Sequence, residues 1–281
     1  MVRLRGITWD HPRGYAGLAA SVTPYHELTG VEIDWQVRSL KDFGDAPIDK
    51  LAESFDILIV DHPHMGLAEA TGCLLPLDAH MNAEALAIFA RQSAGPSHDS
   101  YFYGGRHWVL AVDAACQASA YRADLLTEAL PSTWDDVITL GQRARAQGRW
   151  VGLPLLPTDC ICSFLTLCAC LGDPPGVDEG TLLHDPAVGL RALELLKTLH
   201  AVGHPDALRW NPILMLNHMS SHQDLVYCPL TFTYSNYSRD GYVEKRVHYT
   251  NIPGVRGSIL GGAGFAVSAH CRNVAEAVAY G

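Results

Sequence analysis

Residues 55–64 read FDILIVDHPH: an unbroken apolar run, Ile57 to Val60, that ends on a polar cluster of one carboxylate and two imidazoles. A short continuous apolar run bounded by turn residues fits a strand covered on both faces, as in a parallel sheet. Upstream of it, Pro47 opens a helical segment with Ile48, Leu51 and Phe55 on one stripe. Before that, Val31, Ile33, Trp35 and Val37 alternate as a half-buried strand does. Tyr15 to Thr29 sets Leu18, Val22, Tyr25 and Thr29 at helical spacing and closes on Gly30, and Val2 to Thr8 reads as the first strand. Strand, helix, strand, helix, strand predicts an α/β unit with a parallel sheet, whose ligands lie beyond the carboxyl ends of the strands.

Two polar stretches stand at such ends, ITWDHPRG at residues 7–14 and DHPH at 61–64. In the first, Trp9 offers a flat face for stacking, Asp10 accepts from hydroxyls, and Arg13 has the fork that holds a carboxylate. Gly14 lets a ligand approach the backbone at a helix N-terminus. The plainer reading of the same residues has Asp10 capping the helix and Trp9 packing in the core. In the second, Asp61, His62 and His64 suit direct solute contact; a metal site built from them and His11 is the weaker reading, because a His-x-His loop is common without one.

Further along, His107 to Asp113 and Cys116 to Tyr121 read as strands. Thr133 and Asp136 have the capping-box spacing at a helix start. Val151 to Leu156 reads as a short apolar strand, after which Thr158 and Asp159 are placed to cap an apolar helix carrying Cys160, Cys162, Cys168 and Cys170. These C-x-C pairs are poor metal sites, since residues two apart point to nearly opposite sides of a helix. Asp185-Pro186 opens a long helix with Leu190, Leu193 and Leu196 expected on its inward face. Leu225 to Phe232 and Ser258 to Ser268 are the last two strands.

The 281 residues are 48% hydrophobic, enough for a sizeable core. With 30 acidic against 20 basic residues and no basic cluster, a nucleic-acid surface is excluded. No stretch has the length of a membrane span, and Met1 to Asp10 goes into a strand rather than a secretory leader. The eight cysteines follow no disulfide framework and read as buried thiols of a reducing compartment.

The sequence resembles the extracellular solute-binding proteins of family 1, the maltose-binding-protein-like class that serves ABC transporters. The residues that carry the resemblance run in order through most of the chain: FDILIVDHP followed by GCLLPLD, YRADLL followed by PSTWDDVITLGQRARAQG, WVGLPLL, LTFTYSNYS and GGAGFAVSAH. It implies a two-lobe, periplasmic-binding-protein-like type II α/β fold with hinge-crossing strands and a central ligand cleft. Residues 1–110, completed by 247–281, would form the first lobe and residues 111–246 the second. Similar proteins usually continue with further helices, so an end at Gly281 reads as a shortened relative or a truncated chain. The implied function is capture of a small polar solute, sugar-like or carrying a carboxylate, for a transporter permease in the periplasm or outside the cell. No chemistry, cofactor, metal or membrane insertion is implied.

The polar strand ends and helix starts supply the candidates around that solute, and the resemblance itself points to aromatic contacts in the segment Thr233 to Tyr237. The first lobe would offer Trp9, Asp10, His11, Arg13, Asp61, His62, His64 and Tyr103. The second would offer Thr158, Asp159, Thr233, Tyr234 and Asn236, with Tyr234 foremost, and Gly262 would bring backbone amides close. Arg13, Arg106 and the histidines make this set rich in basic groups, which motivates the acidic-solute reading. The rival reading is a cytoplasmic enzyme or ligand sensor on the same fold, suggested by the missing leader, the thiols and the histidine-rich strand ends.

Overall fold

The computed structural model describes residues 1–175, 181–254 and 257–281. The chain forms two compact units, Met1–Ala115 with Leu260–Gly281, and Cys116–Ile259. The division differs from the expected one: 111–115 belong to the first unit and 247–259 to the second.

In the first unit β1 (Arg3–Trp9), α1 (Pro12–Thr29), β2 (Glu32–Arg38), α2 (Leu40–Asp45), α3 (Ile48–Ala52) and β3 (Ile57–Asp61) follow one another as the patterning predicts. Strand β1 pairs in parallel with β2 on one side and β3 on the other. All four residues Ile57 to Val60 are completely buried, as a strand covered on both faces requires. Gly30 ends α1 in the left-handed conformation at φ 73°, its N–H donating to the His26 carbonyl. After α4 (Met65–Thr71) and α5 (Ala83–Gln92) come the short hairpin strands β4 (Phe102–Tyr103) and β5 (Arg106–His107).

The two strands expected between residues 107 and 121 are one, β6 (Leu110–Tyr121), because nothing in Ala114-Ala115 interrupts an extended chain. It leaves the first unit at Ala115. The second unit continues with α6 (Trp134–Ala146), β7 (Trp150–Val151), α7 (Pro157–Cys170), α8 (Pro186–Val202), α9 (Pro212–Ser221), β8 (Leu225–Phe232) and β9 (His248–Thr250). Thr133 and Asp136 close the predicted capping box on α6. Strand β8 pairs antiparallel with β6 and parallel with β7. Strand β9 pairs with Ser119–Tyr121 of β6, which is why residues after 246 stay in this unit. The chain returns to the first unit with β10 (Leu260–Val267), antiparallel to β3, and α10 (Val274–Tyr280).

Two readings need correction. Of the expected strand 151–156 only Val151 lies in a paired strand, the two-residue Trp150–Val151. Helix α8 turns Val188, Gly189, Ala192, Leu196 and Leu199 inward, leaving Leu190 and Leu193 59% and 53% exposed. Small residues decide that face: a Cβ on Gly189 would lie 2.9 Å from Leu183, so the helix backbone approaches where a leucine does not fit. No helix of the described residues is long and apolar enough to cross a membrane.

Candidate functional site

The turn from β1 to α1 is built by His11. It is the N-cap residue, and its Nδ1 accepts from the Arg13 amide at 3.1 Å. Pro12, lacking an N–H, fills the first helical position. Burial, reinforced by Arg13, lowers the His11 pKa. The capping role that the plainer reading gives Asp10 falls to His11, and Asp10 stands exposed at the turn. Trp9 is not a stacking platform. It is 3% exposed, tilted against Phe43 with ring centroids 4.7 Å apart, and packs in a cluster with Ile33, Ile59 and Leu110.

Arg13 turns its fork onto Asp113 of β6: Nε donates to Oδ1 at 2.8 Å, and a second guanidinium nitrogen donates to Oδ2. Asp61, at the end of β3, accepts from the His62 amide at 2.9 Å. Burial raises the Asp61 pKa to about 6, against that hydrogen bond and the nearby positive charges of Arg38 and Arg13. Arg38, at the end of β2, is desolvated enough to bring its pKa down to about 10. His62 rests against Tyr101 with ring centroids 5.6 Å apart. Burial lowers the pKa of His62 and of His64. Their Nε2 atoms and the Tyr101 hydroxyl are buried with no hydrogen-bond partner among the described residues.

The first unit thus gathers two guanidiniums, Arg13 and Arg38, three carboxylates, Asp10, Asp61 and Asp113, and imidazoles whose pKa burial lowers, where β1 and β3 end. Arg106, counted among the basic groups in the sequence, is held by Asp78 at 2.9 Å. Tyr103 is an accessible aromatic, 42% exposed, whose phenol lies 3.6 Å from where a Cβ on Gly66 would stand at the start of α4. Gly262 marks a close passage of two strands. At φ 132°, a Cβ there would fall 2.2 Å from the Asp113 carbonyl oxygen, so this glycine lets β10 pass the strand that carries Asp113.

In the second unit Thr158 and Asp159 lie in the first turn of α7. Neither is its N-cap, which is Leu156, and no side chain bonds to the cap. Asp159 is 9% exposed, and burial alone raises its pKa to about 7. Asp159, Ser163 and Thr166 recur at helical spacing and form a buried polar stripe on a helix that reads as apolar. Gln117 of β6 meets that stripe, its amide nitrogen donating to Ser163 Oγ at 3.3 Å and its carbonyl accepting from Thr166 Oγ1 at 2.6 Å. Thr166 Oγ1 in turn accepts from the Ile259 amide at 3.2 Å, and Ser258 Oγ donates to the backbone carbonyl of Gln117 at 2.8 Å. Gln117 carried no signal in the sequence, because a lone glutamine in a strand is unremarkable.

Tyr234, first choice among aromatic contacts, is a core residue, buried with Met215, Val247 and Tyr237. The Tyr249 hydroxyl donates to its carbonyl at 2.9 Å. Asn236 is buried in the 3-10 turn that follows. Thr233 is half-buried, its hydroxyl 3.4 Å from the Cys116 carbonyl. Neither DHPH nor the cysteine helix gathers three metal-ligating groups; among the described residues only His204, His218 and Asp224 do. The eight cysteines are thiols.

No protein-family model matches this sequence, and no curated protein matches it. Solved structures do match. The maltose-bound MalE3 of T. maritima aligns with a TM-score of 0.81 at 17% identity, over 100% of this chain and 75% of that one. An ABC transporter solute-binding protein from Thermotoga lettingae TMO, bound with α-D-tagatose, gives a TM-score of 0.83 at 14% identity, over 99% and 77%. One from Agrobacterium radiobacter K84, in complex with ribitol, gives 0.80 at 16%, over 99% and 74%. The chain has the two-lobe α/β fold of these type II periplasmic binding proteins.

Proposed function

We propose that this chain is a solute-binding protein that captures a neutral sugar or polyol and delivers it, chemically unchanged, to an ABC transporter permease on the outer side of the cytoplasmic membrane. The observation that carries this reading is the fold, shared over nearly the whole chain with proteins whose bound ligands are maltose, tagatose and ribitol. The pairing of two arginines supports a neutral solute. Arg13 is held by Asp113 and Arg106 by Asp78, so neither fork stands open for a solute carboxylate. An acidic solute, attractive while these arginines are only letters, finds less support.

Asp10, Asp61, His62, His64 and Tyr103 are the proposed contacts of the first unit. Thr158, Asp159 and Thr233 are those of the second. Carboxylates and neutral imidazoles hydrogen-bond hydroxyls, and a half-exposed tyrosine covers a sugar face.

A thermal-shift screen of sugars, polyols and sugar acids in the presence of a chelator tests the reading. At one hundred times its dissociation constant, a true ligand adds about 2.7 kcal/mol to stability. The expected result is a rise with at least one neutral sugar or polyol, weakened by His64→Ala and Asp159→Ala. A response confined to acids, or none to any sugar or polyol, overturns it.

A further inference from the structure

The second unit holds a group of side chains that the solute-binding reading does not use. His204 follows α8, His218 lies on α9, and Asp224 immediately precedes β8. His218 Nε2 lies 2.8 Å from Asp224 Oδ1, and His204 Nε2 lies 3.5 Å from Asp224 Oδ2. One ligand atom from each of the three falls within 4.8 Å of the others. A tetrahedral zinc ion with bonds of about 2.0–2.2 Å sets its ligand atoms roughly 3.3 Å apart. The triad is near that spacing before any ion arrives.

The rings are held in place. Trp210 stacks on His204 with centroids 4.4 Å apart and lies 5.0 Å from His218, while Trp150 sets an edge against His204 at 5.8 Å. The side chains of His218 and Asp224 remain 19% and 33% exposed, so an ion has a way in and a coordination position open to water. We propose that His204, His218 and Asp224 bind a divalent transition-metal ion of the zinc type.

Two existing contacts compete. The hydrogen bond from His218 Nε2 to Asp224 gives way when a metal takes that nitrogen's lone pair, the His218 proton moving to Nδ1. The Asp206 amide donates to His204 Nδ1 at 3.1 Å, which puts the imidazole proton on Nε2, facing Asp224. A metal needs that Nε2 lone pair, so on binding the proton moves to Nδ1 and the Asp206 contact gives way. Two hydrogen bonds are a small loss beside three metal–ligand bonds.

The test is calorimetric titration of the untagged, chelator-treated chain with zinc chloride, without sugar, alongside amide NMR. The expected result is one ion per chain at micromolar affinity or tighter, weakened at least tenfold by His218→Ala and by Asp224→Asn. The Asp206 amide resonance moves on zinc addition, a readout that a merely structural triad does not give. His222→Ala, which removes a ring stacked on His218 at 4.1 Å, leaves the affinity within twofold. His204→Gln serves where another variant fails to fold. Absence of binding, equal affinity in folded variants, or an equal loss with His222→Ala overturns the assignment. The solute-binding reading stands or falls separately.

Discussion

Gly14 faces the indole of Trp9 so closely that a Cβ on it would lie 2.3 Å from the ring. The first strand end and the first helix start are therefore one interlocked piece, with the Thr8 hydroxyl donating to the Gly14 carbonyl at 2.9 Å beside them. Trp9→Ala is expected to cost about 3–5 kcal/mol, the usual range for emptying a buried aromatic position. Urea denaturation reads it. Full stability with lost sugar binding would restore the indole as a ligand platform.

Arg13 and Asp113 make a second test. Their side chains are mostly buried, so removing either partner leaves a charge without its counter-ion, at roughly 2–4 kcal/mol. A double-mutant cycle with Arg13→Leu and Asp113→Leu is expected to show strong coupling, the pair costing far less than the sum. Additivity to within about 0.5 kcal/mol refutes the pairing.

Residues 2–60 were legible because each element there carries its own period, and the run from Ile57 to Val60 fixes the buried centre of the sheet. The site was legible only as a place. Both polar strand ends were located, yet the roles within them depend on partners far along the chain. Arg13 looks available until Asp113 is beside it, and Trp9 looks like a platform until α2 brings Phe43 against it. The stripe on α7 was hidden by its cysteines, and the pair of leucines at 190 and 193 was overruled by Gly189 and Ala192, which no hydrophobicity pattern favours.

A pH dependence follows from two carboxyls. Burial raises Asp61 to about 6 and Asp159 to about 7, both above the ordinary 3.8. Each then holds its proton longer in the folded than in the unfolded chain, so stability falls as pH rises from about 4 to 7 and levels off beyond. Asp159→Asn is expected to flatten most of this decline in denaturation profiles taken across that range. A variant profile as steep as the parent's contradicts the buried carboxyl.

Gly262→Ala is expected to destabilise by several kcal/mol, since φ 132° is unfavourable for alanine and the new methyl would strike the Asp113 carbonyl. Thermal melting measures it. A melting temperature within a degree of the parent's means that β10 does not pass so close.

On α8, Leu190→Ser and Leu193→Ser are expected to change stability by no more than about 0.5 kcal/mol each, while Leu199→Ala costs about 2–5 kcal/mol. The reverse order in denaturant titration would put the leucine pair back on the inward face.

A helix apolar all round settles against a sheet in several rotations of similar energy. On α7 the line from Asp159 through Ser163 to Thr166 removes that freedom. Turning the helix by one residue, about 100°, would take both hydroxyls from Gln117 and strand its amide in the core. Gln117 acts as a keyway admitting one orientation, and the direction in which Asp159 is presented is set by a side chain on another element altogether.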